Sequence, residues 1–549
     1  VILDLEAADV PDIRTRVCVV GAGAAGITVT RALAAAGIPV ALLESGGLDH
    51  RADIDALMEG DNRGFPYYPL HECRLRFFGG TTSIWGGRCA ELDAIDFAVR
   101  PWVTGSGWPI VKADLKPYYD RALTAFELHP MPDDDSFWET HGLERPAFDP
   151  AVIRTGLWQF DTEADRFAVA RHRDLLESDT VTVVLHANVT GLKATEAGTH
   201  IHRVEFANLA GRRGAVVPEV VVLAAGGIEN PRLLLASNDV QKTGLGNERD
   251  LVGRYFMEHP HARGARIDTE RVVEVLKLLP RSYQRDGKRY AVLARPAETL
   301  QEREGLLNTS FTISARQHPD DALVIGKKLY TQLKHDLKPN RWNRAAWHLL
   351  RRRILAVRET LGPTLGALQA SRKGYGIYTV MRAEQAPNPD SRITLSMDTD
   401  PLGVPKPVLD WRFLDIDKRS VAGAMRGLGV ELARLRYGSV VLDDWLEDPA
   451  LEWKTDQTIS NHPISGYHHM GTTRMGSSPV DGVVDANTKV FGIDNLFVAG
   501  SSVFTTSGWA NPTLTIVALA LRLAEHLGRR LAPGSPRSRG VDEAGQTRP

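Results

Sequence analysis

Val17-Cys18-Val19-Val20-Gly21-Ala22-Gly23-Ala24-Ala25-Gly26 decides the fold. An apolar run with the character of a buried strand passes through a glycine turn into an alanine-rich helical stretch, the arrangement that seats a pyrophosphate against a helix N-terminus. Such a turn needs unusual backbone angles at Gly21, no side chain where phosphates approach at Gly23, and close strand-to-helix packing at Gly26. A second strand, Val40-Ala41-Leu42-Leu43, ends in Glu44, eighteen positions after Gly26, where a carboxylate can accept both ribose hydroxyls. The chain therefore opens with a dinucleotide-binding fold, and Gly21, Ala22, Gly23, Ala25, Gly26 and Glu44 are expected against the cofactor.

Bulk properties narrow the class. A chain of 549 residues is too long for one simple core, so two domains or a large insertion are expected. A net charge of −2 with 24% charged residues exerts no pull toward nucleic acid or a membrane surface. Three cysteines, Cys18, Cys73 and Cys89, without a Cys-x-x-Cys spacing, argue against a disulfide framework and a zinc site. Val1 to Glu6 has neither a basic nor an apolar leader character, and no run of eighteen apolar residues occurs, so a cytoplasmic protein is expected.

A second glycine cluster, Phe77 to Gly87, holds too many glycines for a helix or strand and suggests backbone lying against something flat or charged. Strand signals recur at Val181 to Leu185 and at Val220 to Gly227, the latter apolar enough to be buried on both faces. From Ala262 to Ala450 the texture changes to alternating stretches such as Arg392 to Leu395 and Val408 to Phe413, which suggest an antiparallel sheet. The last hundred residues return to a buried strand, Asn495-Leu496-Phe497-Val498-Ala499-Gly500, and a helix from Thr513 to Leu527. The expected organisation is a discontinuous α/β nucleotide domain, 1–261 plus 455–531. Excursions at 51–70 and 108–175 are open to joining the other domain. An inserted substrate domain spans 262–454, and a disordered tail follows at 532–549.

The C-terminal segment resembles the glucose-methanol-choline (GMC) oxidoreductase family. Tyr467-His468-His469-Met470-Gly471-Thr472-Thr473-Arg474-Met475-Gly476 is similar to the family's His-x-x-Gly-Thr-x-x-Met segment. Val484 to Gly492, Leu496 to Ser502 and Asn511-Pro512-Thr513-Leu514-Thr515 resemble the segments that follow it, and the Gly79-Gly80 loop, Leu223 to Asn230 and Glu258-His259-Pro260 extend the match over nearly the whole chain. The resemblance implies a Rossmann-like FAD-binding domain with a substrate domain on an antiparallel β-sheet flanked by helices. It also implies oxidation of an alcohol or sugar. Cofactor contacts are then implied at Gly79, Gly80, Thr81, Ser83, Trp85, Gly86, Val189, Ala225, Gly500, Ser501, Asn511, Pro512 and Thr513. Family members that attach FAD covalently use a histidine at the position of Ile84, so non-covalent FAD is expected here.

Removing hydride from an alcohol carbon and the proton from its oxygen requires an electron sink and a base. By resemblance His468 is the base and Asn511, 43 positions on, its partner, with an amide able to donate to the substrate oxygen. Asn511 is equally placed to cap the helix beginning near Thr513. His469 is expected to support or pack, or else to touch flavin or substrate. A metal site built from the two histidines is not expected, because neighbours in an extended segment point to opposite faces. His259 and His261 are expected to be structural.

Arg382, Glu384 and Gln385 lie on a strand-like stretch and can hydrogen-bond a polyol, with solvent-facing strand positions as the alternative. The wording of the C-terminal motifs is most similar to a bacterial branch of pyranose and glycoside oxidases and sugar dehydrogenases, so a secondary hydroxyl of a sugar or glycoside is the expected substrate, with oxygen or another acceptor receiving the electrons. Tailoring of a natural-product alcohol and a non-redox flavin-containing lyase are the alternatives. Finally, Lys327 to Lys373 carries twelve basic residues against Asp336 and Glu359, with Trp342 and Trp347 among them. This basic helical insertion suits a lipid or partner contact, or a solvated insertion over the site or at a subunit contact.

Overall fold

The architecture is that of a computed structural model, which describes residues 1–132, 134–141, 144–163, 165–280, 282–318, 342–344, 346, 349, 353, 364–460 and 462–532. The opening strand Ile13–Val20 lies inside an eight-stranded sheet. On one side it pairs in parallel with Val40–Leu43, then Val181–Leu185, then Ile2–Asp4. On the other it pairs in parallel with Arg213–Leu223, whose far end receives Leu496–Val498, also in parallel, after an excursion of more than two hundred residues. Val17, Cys18, Val19, Val221 and Val222 are fully buried, as strands covered by helices on both faces demand. An antiparallel ribbon, Asn188–Ala194 with Ile201–Ala207, completes the sheet.

The helix Ala24–Ala35 packs against the C-terminal helix Thr513–Arg530, which also receives Lys112–Ala125. Leu514, Val517, Ala518, Leu523 and Leu527 recur at helical spacing and are buried on that seam. Each large aliphatic side chain sequestered there contributes roughly 1.5–3 kcal/mol. This packing fixes the loop before Thr513, and with it Asn511, against the nucleotide sheet.

A second sheet of eight strands is antiparallel throughout its length, running Ser439–Leu442, His261–Asp268, Tyr375–Arg382, Ser310–Gln317, Lys288–Pro296, Ile153–Phe160 and Arg88–Cys89, with Tyr283–Arg285 beside Lys288–Pro296. The helix Asp415–Arg434 covers it through Val421, Met425, Leu428 and Leu432. Two of these strands precede residue 262. Arg88–Cys89 directly follows the glycine segment and Ile153–Phe160 comes from the 108–175 excursion, so this layer extends beyond the 262–454 span. The stretches at Arg392 and Val408 do not join it. Arg392–Thr399 and Pro405–Trp411 form a separate three-stranded sheet with Asp61–Gly64 from the 51–70 excursion. Alternation in sequence identifies strands, and only cross-strand register assigns their sheet.

Most of the basic insertion lies outside the described residues, as do residues 533–549 of the expected tail. Within the insertion, Arg344 is buried against the nucleotide half, 2.8 Å from Asp49 and 4.8 Å above the Phe77 ring. Among the described residues no helix is long and apolar enough to cross a membrane.

Candidate active site

The glycine turn between Ile13–Val20 and Ala24–Ala35 has the space a diphosphate needs. Gly21 is held at φ +104, and a Cβ there would meet the Ala224 carbonyl oxygen at 2.7 Å. At Gly26 a Cβ would sit 1.8 Å from the Gly21 carbonyl oxygen, so its lack of a side chain serves strand–helix packing. A Cβ on Gly23 would meet no atom within 4 Å, which leaves the approach to the helix N-terminus open. No side chain caps that terminus, so its first N–H groups remain free for an anion. Glu44 lies 4% exposed at the end of the neighbouring strand, its carboxylate accepting the Ala22 and Gly46 N–H groups, each at 2.9 Å. Burial raises its pKa, against those hydrogen bonds and the nearby Arg76.

These groups open onto one elongated cleft lined by Gly21 to Ala25, Glu44, Gly79 to Thr82, Val189, Ala225, Gly227, His469, Gly500 and Ser501. Gly79 donates its N–H to the Ala22 carbonyl at 2.8 Å, joining the two glycine loops. The Ser501 hydroxyl donates to the His469 carbonyl at 2.6 Å. Ser83, Trp85 and Gly86 lie beyond this lining. Ser83 is buried, and Trp85 packs on Phe126 with ring centroids 5.7 Å apart. Pro512 and Thr513 open the C-terminal helix, and Ile516 one turn on reaches the cleft. The glycine cradle, the free helix terminus and the buried carboxylate fit FAD, which these residues would hold through its diphosphate and ribose.

Beside His469, which lines the cleft, His468 comes together with Asn511: His468 Nε2 lies 3.1 Å from Asn511 Nδ2. Pro512, without a side-chain hydrogen bond, holds the cap position of the helix, so Asn511 is not its cap. Met257 and Met470 exchange backbone hydrogen bonds at 3.0 Å in both directions, clamping Glu258-His259 beside His468-His469. Tyr467 turns the chain with φ +62, an angle rare for a residue with a Cβ. The neighbouring Gly466 is required by close approach, since a Cβ there would lie 2.7 Å from His468 Nδ1.

The tautomer of His468 follows from an anchored chain of hydrogen bonds. His259 Nε2 is 2.8 Å from the Gly508 carbonyl oxygen and 3.3 Å from that of Ser507, and carbonyls only accept, so Nε2 carries the hydrogen. Burial lowers the His259 pKa to about 4, so the ring is neutral near pH 7 and its Nδ1 is an acceptor. That Nδ1 lies 2.8 Å from His468 Nδ1, which must then be the donor. His468 Nε2 is left bare, facing the amide of Asn511, which donates to it. Burial first, then His259, His261, His469 and Arg88, holds the His468 pKa well below the ordinary histidine value. The result is a neutral imidazole whose Nε2 lone pair carries no proton and accepts from the amide of Asn511.

Glu258 organises this pair from beneath. Its carboxyl accepts the His468 N–H at 2.8 Å, the His259 N–H at 2.9 Å and the Tyr67 hydroxyl. Burial raises its pKa to about 7 despite these bonds. Tyr67 Oη also lies 3.0 Å from His469 Nε2, so His469 both lines the cofactor cleft and is tied to this network. His259, expected to be structural, is in fact the group that sets the imidazole of His468. The sequence signal was the Glu258-His259-Pro260 motif itself, but its link to His468 spans 209 positions.

The proposed polyol contacts divide. Glu384 is fully buried, bound to Arg100 at 2.8 Å and to the Asn308 N–H. Gln385 is fully buried as well: its Oε1 accepts from the Glu258 N–H and Trp411 Nε1, both at 3.0 Å, and its Nε2 donates to the Arg412 carbonyl. Both therefore brace the site, since the side chains of this inward-facing corner are consumed by protein groups. His261, held through its Nδ1 by the His462 carbonyl, stands opposite Arg382 in the sheet register. Arg382 alone of the three predicted residues on its stretch keeps a side-chain nitrogen without a partner.

A family model described as GMC oxidoreductase matches residues 387–520. The chain is 25% identical over 593 residues to the 2-methyl-1,2-propanediol dehydrogenase of Mycolicibacterium austroafricanum, covering 94% of this chain and 96% of that one. It is 44% identical over 71 residues to the C-glycoside 3-oxidase of Arthrobacter globiformis, covering 13% and 14% respectively. Among solved structures, pyridoxine 4-oxidase from Mesorbium loti matches with a TM-score of 0.55 at 17% identity, over 93% of this chain and 99% of that one, a likeness of fold.

Proposed function

The chain belongs to the GMC oxidoreductases, FAD-dependent enzymes acting on CH–OH groups, and from that premise we propose that it oxidises a secondary hydroxyl of a sugar or glycoside to the carbonyl, with His468 as the base. The observation that carries the reading is the bare Nε2 of His468 converging with the Asn511 amide at 3.1 Å. A substrate hydroxyl that takes the place of this hydrogen bond donates its proton to Nε2 and accepts a hydrogen bond from Asn511 Nδ2. FAD, when bound, supplies the acceptor for the electron pair that leaves with the hydrogen on carbon. As the proton arrives at Nε2, the Nδ1–H of His468 stays hydrogen-bonded to His259, so the ring keeps its orientation as it becomes charged. Asn511 holds the oxygen in place.

The sugar or glycoside assignment draws on the name of one relative, a C-glycoside 3-oxidase. Ile84, which ends the turn Gly80–Ile84, offers no nucleophile, and this supports FAD held without a covalent bond. The test is anaerobic bleaching of the visible flavin band by a panel of diols, free sugars and glycosides, followed by identification of the carbonyl product. Bleaching by a sugar or glycoside with a ketone product supports the reading. A flavin that stays oxidised while substrate is converted overturns it in favour of a lyase. Readmitting air after bleaching reports whether oxygen is an acceptor.

A further inference from the structure

The face of the large sheet that approaches His468 carries a concentration of positive charge. Arg382, at the end of Tyr375–Arg382, holds its guanidinium 5.2 Å from the centre of the Trp158 ring. Arg88 reaches the same ring at 5.4 Å and the Phe160 ring at 5.4 Å. The cluster lies beside the histidines of the site: Arg382 stands opposite His261 in the sheet register, and His259, two residues from His261, is bonded to His468.

Neighbouring arginines of this region have carboxylate partners. Arg100 is bound by Glu384 at 2.8 Å, Arg263 by Asp456 at 2.6 Å and Arg295 by Asp93 at 3.2 Å. Arg382 differs. Among the described residues, the charged groups that face it are Arg88 and Arg316, both cations, and its Nη1 is buried without a hydrogen-bond partner. The Trp158 indole beneath it is 2% exposed, and its Nε1–H is also unpartnered. A guanidinium is not deprotonated in a protein, and although Arg382 as a whole is half-buried, its Nη1 meets neither a counterion nor a hydrogen-bond acceptor, which is unfavourable. Two unsatisfied donors, one cationic and one neutral, on side chains packed against each other, are the complement of an oxyanion.

We propose that the substrate bears an oxyanion, a carboxylate or a phosphate, which is received by Arg382 and the Trp158 Nε1–H, with Arg88 adding to the attracting field. This rests on the reading of the chain as an alcohol oxidoreductase and narrows its substrate to a hydroxylated acid or phosphate ester. The anion binds at a distance from the reacting carbon, so it orients the hydroxyl toward His468 without taking part in the bond changes.

The test uses the FAD-loaded enzyme and a matched trio, methyl glucoside, methyl glucuronide and glucose 6-phosphate. Affinity is read from tryptophan fluorescence quenching, and flavin reduction is followed separately under anaerobic conditions. One charge-assisted contact predicts roughly 10- to 100-fold tighter binding of an anionic member than of the neutral glycoside. The preferred anion distinguishes carboxylate from phosphate. In Arg382→Gln the preference collapses to within about twofold, and Arg382→Lys restores part of it by keeping the charge without the fork. Flavin absorbance and melting temperature establish that each variant is folded, and the wild-type series stands alone if neither folds. Equal affinities across the trio overturn the proposal, as does a preference that survives in Arg382→Gln. Selective anion binding without reduction by any member counts against the proposed oxidation and leaves the anion site standing.

Discussion

Replacing His259 by leucine isolates the tautomer argument. The substitution removes the Nδ1 acceptor that sits 2.8 Å from His468 Nδ1 and the Nε2–H that bonds the Gly508 carbonyl, while filling much of the imidazole volume. His468 then has a buried Nδ1–H without a partner, a loss of about 1–3 kcal/mol. It escapes that cost by moving its hydrogen to Nε2, where the Asn511 amide can turn to offer oxygen, but this tautomer has no lone pair for the substrate hydroxyl. Since about 1.4 kcal/mol corresponds to a factor of ten, flavin reduction is expected to slow by roughly 10- to 100-fold. FAD content should stay close to wild type because His259 is not part of the cofactor cleft lining. The assay is stopped-flow anaerobic reduction at saturating substrate, with substrate affinity measured separately. His259→Gln, whose side-chain oxygen can accept from Nδ1, should recover part of the rate. Nitrogen-15 NMR of labelled histidine should find His468 protonated at Nδ1 in the wild type and shifted toward Nε2 in His259→Leu. Wild-type reduction in His259→Leu, or Nε2 protonation in the unmodified enzyme, refutes the reasoning.

Other expectations are separable. A protonated His468 cannot accept a proton, so reduction falls as pH drops through its pKa; that pKa is held well below 6.5, and rates at pH 6 and 7.5 should agree within about twofold, whereas a fall centred at or above 6.5 contradicts the assigned environment. Gly23→Val should give a folded protein that retains no FAD, since a Cβ there meets no protein atom but occupies the diphosphate approach, while Gly26→Val should prevent folding, its Cβ falling 1.8 Å from the Gly21 carbonyl oxygen; purified yield, melting temperature and flavin content distinguish the two outcomes. Acid or heat denaturation of the holoenzyme should release all flavin into the supernatant, and flavin remaining on the precipitated chain would disprove non-covalent binding. Asn511→Ala removes the donor to the substrate oxygen and should slow reduction by roughly 10-fold or more, with unchanged rate showing that Asn511 does not touch the reacting group.

What the sequence discloses depends on how local the cause is. The Gly21 to Gly26 turn and Glu44 are short-range requirements of backbone space and strand end, so they could be read from spacing alone. His468 and Asn511 were picked out by resemblance, and the fold explains why a resemblance was needed: one leads into the Met257–Met470 bridge and the other precedes the C-terminal helix, in separate loops. The role of His259 was not legible, because a histidine beside a proline reads the same whether it packs or holds another ring. Glu384 and Gln385 looked available to a polyol for the same reason. Only the structure shows Arg100 and Trp411 reaching them across more than 25 positions of chain. Sheet membership was also hidden, since Ile153–Phe160 and Arg392–Thr399 are both recognisable strands whose partners are set by tertiary register.

The central claim is that His468 removes the hydroxyl proton, and single-turnover flavin reduction in His468→Ala tests it most directly. General-base catalysis contributes roughly 10²- to 10⁴-fold, so the variant should bind FAD and substrate yet reduce its flavin at least 100-fold more slowly at pH 7, with the rate rising at high pH as solvent hydroxide removes the proton. A variant that holds FAD and is reduced at the wild-type rate across pH would contradict the account.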